Sequence, residues 1–134
     1  MATAALVVIG DEILSGKTAD TNTPFLIAEL RSLGVALREI VVVADDVTAI
    51  AEAVRRVAAR SDYVFTSGGV GPTHDDVTMA GVAAAFAVPV VRHPRLAELL
   101  QTYYAEKKLP LVERNLRMAD LPAGTTLIEG PQLR

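Results

Sequence analysis

Three short segments carry the residue types from which a polar site is built. They are Gly10-Asp11-Glu12-Ile13-Leu14-Ser15-Gly16, then Asp45-Asp46, then Thr66-Ser67-Gly68-Gly69-Val70-Gly71-Pro72-Thr73 with Asp75-Asp76-Val77-Thr78 after it. The last is the richest. Gly68, Gly69 and Gly71 permit positive φ and close approach to a ligand, while Thr66, Ser67 and Thr73 add hydroxyls, so the stretch suits an anion cradle as well as a plain glycine-rich turn. Asp75 and Asp76 come just before Thr78 at a helix start, where free N–H groups orient either a ligand anion or an acidic side chain. A capping box fits the same residues. In the first segment Asp11, Glu12 and Ser15 offer partners to sugar or pterin donors and Gly16 allows close contact, the alternative being a solvated loop. Asp20 and Asn22 precede a helix and read equally as caps or ligand contacts. Asp45-Asp46 also precedes a helix, but one cap accounts for only one of two adjacent acids, which leaves Asp45 as the functional member. Paired carboxylates facing a phosphate site suit Mg²⁺ or another divalent cation, which neutralises phosphoryl charge and lowers the pKa of bound water.

Other chemistries are excluded or disfavoured. With no Cys and two His among 134 residues there are no thiolate nucleophiles, disulfides or Cys-based metal sites, so a metal is expected on oxygen ligands. The glycine spacings match neither a dinucleotide fingerprint nor a P-loop. Ser67 has no histidine whose context makes it a triad base. His74 and His93 read as turn residues as readily as phosphate contacts. Lys107, Lys108, Arg114 and Arg117 are solvated helix faces unless the C-terminal part folds over the site.

The elements that position these segments alternate. Ala5–Ile9 is an all-apolar run, as in a strand buried on both faces. After a loop from Gly10 to Thr21, Asn22 or Thr23 caps a helix that buries Phe25, Leu26, Ile27, Leu30 and Leu33 and stops at Gly34. Ile40–Ala44 is a second strand, followed by a helix capped by Thr48 and running to about Ala59. Tyr63–Thr66 is a third strand, and Thr78 caps a helix to Ala87. Strand and helix alternating with short connections predict an α/β fold: a three-layer α/β/α domain with a mostly parallel sheet. Beyond it come a strand at Val88–Val91, a helix at Pro94–Lys107, a short helix at Leu111–Ala119 and a last strand at Thr125–Glu129. In such a fold the ligand crevice lies at the carboxyl ends of the strands, where the three polar segments converge.

Composition agrees with one domain over 1–134. The chain is 51% hydrophobic and 22% charged with a formal net charge of −3, which argues against nucleic-acid partners. No apolar run reaches membrane-spanning length and no basic n-region precedes the apolar start, so a cytoplasmic protein without membrane partners is expected.

In order and spacing these motifs, with Asp20-Thr21-Asn22 and Val43-Ala44-Asp45-Asp46, make the sequence resemble the molybdopterin-binding domain family, in its competence-damage-inducible branch, over nearly the whole chain. The resemblance implies the fold just described, missing its C-terminal strand and helix. It also implies a site that binds molybdopterin or a related phosphorylated pterin or nucleotide. Its key acids fall on Asp45 and Asp76 as catalytic and metal-binding residues, and its loop on Ser67 to Thr73, with Thr78 as a further contact. Relatives in molybdenum cofactor biosynthesis bind or adenylylate molybdopterin; related domains also occur in FAD synthase, and members nearer to this sequence imply a divalent-metal-dependent pyrophosphatase that splits ADP-ribose or FAD into AMP and the partner phosphate. A noncatalytic homo-oligomerising fragment is a third reading, and a homodimer or homotrimer is the expected assembly. The sequence departs from the family after Asn115 and Arg117-Met118-Ala119, where the usual Asn-Pro and Ala-Pro-Gly-Phe segments do not follow. Gly130 to Arg134 read as a turn leading onward.

Overall fold

The computed structural model describes residues 1–129; the turn expected at 130–134 lies outside them. The strand β1 (Thr3–Ile9) is the centre of the protein. Every residue from Ala4 to Ile9 is buried, because β1 has a strand on each edge and helices on both faces. Burying side chains such as Leu6 and Ile9 stabilises the fold by about 1.5–3 kcal/mol each. β2 (Ala36–Val43) and β3 (Tyr63–Ser67) both pair with β1 in parallel, giving the order β2-β1-β3.

Alternation along β1 divides the core into two layers. Ala5, Val7 and Ile9 meet Ile50, Ala53, Val54 and Val57 of α3 (Val47–Ala58). Packed beside α3 is α4 (Thr78–Ala85), where a Cβ on Gly81 would lie 2.4 Å from the Ile50 side chain. The opposite face, through Leu6 and Phe65, carries α2 (Asn22–Ser32). The fold is thus three-layered α/β/α, as the sequence predicts.

The remaining described chain builds a small annex against α4. β4 (Val90–Arg92) pairs antiparallel with β5 (Asp120–Pro122). Between them run α5 (Pro94–Glu106), α6 (Glu113–Leu116) and a 3₁₀ turn at Arg117–Ala119. Arg92 ties the annex together by bonding Asp120 and Glu113, which hold its guanidinium firmly protonated.

Several expectations are corrected. Gly10–Thr21 is not wholly loop, since Asp11–Leu14 forms one helical turn, α1. α3 is capped by Asp46, whose carboxylate accepts the Ala49 N–H at 2.8 Å, and not by Thr48. Neither Asn22 nor Thr23 caps α2; Asp20 accepts from the Thr23 N–H and hydroxyl. Of the five apolar residues expected beneath α2 only Leu30 is buried, and Phe25 and Leu33 are 67% and 73% exposed. Periodicity identifies an apolar stripe but not what covers it, and among the described residues nothing covers the stripe beyond the three-stranded sheet. The last strand is Asp120–Pro122, not Thr125–Glu129, because the partner on offer is the short β4.

Candidate functional site

Each parallel strand ends in a polar turn, and the turns are stitched to one another. After β1, the Gly10 N–H donates to the Val43 carbonyl at the end of β2. Beside it Asp11 and Asp45 clasp reciprocally: the Asp11 N–H donates to Asp45 Oδ2 and the Asp45 N–H to Asp11 Oδ1, both at 3.0 Å. The two adjacent acids after β2 therefore divide the work. Asp46 caps α3, and Asp45 joins the β1 and β2 turns while its Oδ1 has no hydrogen-bond partner among the described residues.

After β3 the chain makes the glycine-rich loop. Gly68 and Gly69 have φ of +94° and +67°, in the left-handed region that glycine enters without strain. Their missing side chains are also required by packing: a Cβ on Gly68 would sit 2.1 Å from the Ile9 carbonyl oxygen, and one on Gly69 2.1 Å from Thr78 Oγ1. Thr78 is fully buried, and its hydroxyl donates to the Gly68 carbonyl at 2.8 Å, so it tethers the loop from inside and does not face the cavity. Asp76 folds back on the same loop, where its Oδ2 accepts from the Thr73 N–H at 3.0 Å and the Thr73 hydroxyl at 2.6 Å. The Thr73 side chain, with backbone N–H groups of Thr73 and Gly71, holds the Asp76 carboxyl below its usual pKa despite partial burial. The Thr73 N–H and hydroxyl of this loop are thus donors already engaged by an internal carboxylate.

These turns enclose a cavity of about 520 Å³ lined by Asp11, Glu12, Ser15, Asp45, Gly69, Thr73, Asp75 and Asp76, with Lys17 its one cation. The structure therefore brings residues from all three polar segments to one place. Asp20, Asn22, Ser67 and Gly68 line a neighbouring cleft of about 190 Å³ that shares Glu12 with the cavity. Across that cleft the Asn22 amide donates to Ser67 Oγ at 3.0 Å, while Thr23 holds Asp20 below its usual pKa. Gly71 lines a third cavity, on the other side of the loop. Gly10, Gly16, Thr66 and Thr78 line none of the three. His74 lies at the surface against Asp75, and His93 caps α5 by accepting the Leu96 N–H. Lys17 and Met79 line cavities without having stood out in the sequence. For Lys17 the local signal is the turn glycine before it, Gly16, at φ +80°.

Comparison with known proteins decides the family. Residues 5–129 match the family described as "Probable molybdopterin binding domain". The chain belongs to the molybdopterin-binding domain family. Within the family it is 38% identical over 128 residues to a "CinA-like protein" of Gloeobacter violaceus, covering 96% of this chain and 30% of that protein. It is 46% identical over 121 residues to a "Probable FAD synthase" of Caenorhabditis elegans, covering 87% of this chain and 23% of that protein. In three dimensions it matches the crystal structure of CinA from Thermoplasma acidophilum, a protein described as of unknown function. That match has a TM-score of 0.88 at 33% identity and covers 96% of this chain and 76% of that one. The chain spans half or less of the curated relatives it matches. No helix among the described residues is long and apolar enough to cross a membrane.

Proposed function

We propose that the chain binds a phosphorylated pterin or nucleotide, with the phosphate in the cavity at the carboxyl ends of β1, β2 and β3. The observation that carries this reading is the convergence of three separate polar turns on one 520 Å³ cavity, at the end of the sheet where open α/β folds bind ligands. Membership of a molybdopterin-binding family supports the pterin. The Thr73 N–H and hydroxyl, paired with Asp76, are the donors that a phosphate oxygen would take over.

A second reading is a divalent-metal-dependent pyrophosphatase acting on ADP-ribose or FAD. The acidic lining of the cavity favours it, as do relatives named for FAD synthesis. Among the described residues no three His, Asp or Glu side chains are gathered to hold a metal unaided. Mg²⁺ is ordinarily held by one or two carboxylates together with substrate phosphates, and Asp45 and Asp76, both lining the cavity, are donors of that kind. When bound, such a cation neutralises phosphoryl charge and acidifies a water. Asp45 and Asp76 would hold the cation, and Lys17 would offer the phosphates a positive charge.

Calorimetric titration with AMP, ADP-ribose and a pterin phosphate tests the first reading, and product-resolved hydrolysis of ADP-ribose and FAD with Mg²⁺, Mn²⁺ or Co²⁺ tests the second. Binding without turnover is expected. AMP as a product, lost in Asp76→Asn and in Asp45→Asn, would replace the first reading with the second. No binding by the folded chain would refute both.

A further inference from the structure

The cavity of about 520 Å³ is not ready for a phosphate as it stands. Five of its nine lining residues are carboxylates, Asp11, Glu12, Asp45, Asp75 and Asp76, against the single cation Lys17. They repel an incoming anion. The donors a phosphate needs are also taken, since the Thr73 N–H and hydroxyl both go to Asp76 Oδ2, at 3.0 and 2.6 Å. A divalent cation alone is no better served, because among the described residues no three His, Asp or Glu side chains are gathered for it. Each ligand would supply what the other lacks.

Asp76 stands between the two. Its carboxylate fills a seat cut for one oxyanion. The φ of Gly71 lies outside the left-handed region, so conformation does not call for glycine there, but a Cβ would lie 2.8 Å from Asp76 Oδ2. The missing side chain makes the room that this oxygen fills. The seat is also held without the carboxylate. The Asp76 N–H donates to the Thr73 carbonyl at 3.1 Å, the Thr78 N–H to the Gly69 carbonyl at 3.2 Å and the Thr78 hydroxyl to the Gly68 carbonyl at 2.8 Å. Rotation of the Asp76 side chain therefore breaks none of the bonds that shape the loop, and the Thr73 donors are left for another oxygen.

We infer that Asp76 is a two-position switch: its carboxylate occupies the phosphate seat of the empty site, and a phosphate that displaces it turns it into a cation ligand, so that phosphate and divalent cation bind cooperatively. The inference rests on the phosphate-binding reading above and adds how that site is regulated. Such coupling is reciprocal, each ligand tightening the other by the same factor, ordinarily about 5–150-fold.

The test is calorimetric titration with AMP, with and without Mg²⁺, of the unaltered chain, Asp76→Asn and Asp75→Asn. Mg²⁺ is expected to tighten AMP binding to the unaltered chain about tenfold, inside that range. In Asp76→Asn the neutral amide holds Thr73 more weakly than a carboxylate and lacks the charge that draws a cation. AMP therefore binds the metal-free variant more tightly than the unaltered chain, and the Mg²⁺ effect disappears. Asp75→Asn removes the same charge from the same cavity at a residue that meets His74 and not Thr73, so it measures repulsion alone. Its gain in metal-free affinity is expected to be smaller, with the Mg²⁺ effect kept. AMP binding that Mg²⁺ does not tighten in the unaltered chain, or equal gains in the two variants, would overturn the switch while leaving the phosphate site standing. Weaker metal-free binding in Asp76→Asn would make Asp76 a support of the seat instead of its occupant, and would overturn the switch as well. Failure of AMP to bind the unaltered chain under either condition would remove the phosphate site and the inference with it.

Discussion

Thr78→Val tests whether the loop is held from inside. The substitution keeps the branched shape and removes the hydroxyl that donates to the Gly68 carbonyl at 2.8 Å. Thr78 has no solvent exposure, so no water enters at the position of the lost hydroxyl. Leaving such a carbonyl unsatisfied costs about 1–3 kcal/mol. With about 2.1 cal/mol/K of unfolding entropy per residue, a 134-residue chain loses roughly 3.6 °C of Tm per kcal/mol, so the expected fall is about 4–11 °C. Thr78→Ser is the control, since it keeps the hydroxyl and deletes a buried methyl at about 0.5–1.5 kcal/mol, or roughly 2–5 °C. Differential scanning calorimetry of the three proteins at pH 7 reads both shifts. A Val variant melting with the unaltered protein would refute the tether.

Asp46→Ala removes the α3 cap and is expected to cost about 1 kcal/mol in urea unfolding, while ligand titrations stay unchanged because Asp46 does not line the cavity. Gly68→Ala meets backbone at Ile9 and should lower Tm far more than Gly16→Ala, whose Cβ has nothing within 4 Å, although both glycines have positive φ; equal melting shifts would refute the packing argument. The Asp76 carboxyl is held below 3.8, so its contribution to stability is fully present above that pH and is lost as pH falls through the lowered value. Urea unfolding between pH 5 and pH 2.5 should accordingly show a shallower acid loss for Asp76→Asn, and parallel curves would count against the Asp76–Thr73 contact.

Much of this was legible in the sequence, and the failures have identifiable causes. β1 was readable because Ala4–Ile9 is buried on both faces, which leaves an unbroken apolar run. The convergence of three polar turns followed from the parallel sheet. α1 was invisible, since four residues carry no periodicity. Among the glycines, the signal taken for close ligand approach proved ambiguous in kind: a missing side chain at Gly68 serves the Ile9 carbonyl, and sequence does not say which neighbour needs the room. Asp45 was separable from Asp46 by counting caps, whereas the Asp11–Asp45 clasp joins residues 34 apart and leaves no local trace. Arg117 is exposed, as expected, but it also lines a cavity with Met79 and the glycine-rich loop, which come from distant segments and leave no local mark in the sequence.

The central place of β1 has a consequence for how the protein is made. Its most apolar stretch leaves the ribosome before either partner strand, and one of the two is about 60 residues further along. At synthesis rates of about 5–20 residues per second, Ala4–Ile9 waits roughly 3–12 s for the second edge to be paired. A nascent chain in that interval presents a bare apolar strand, so the step most open to misassembly, and to rescue by a chaperone, is the arrival of β3.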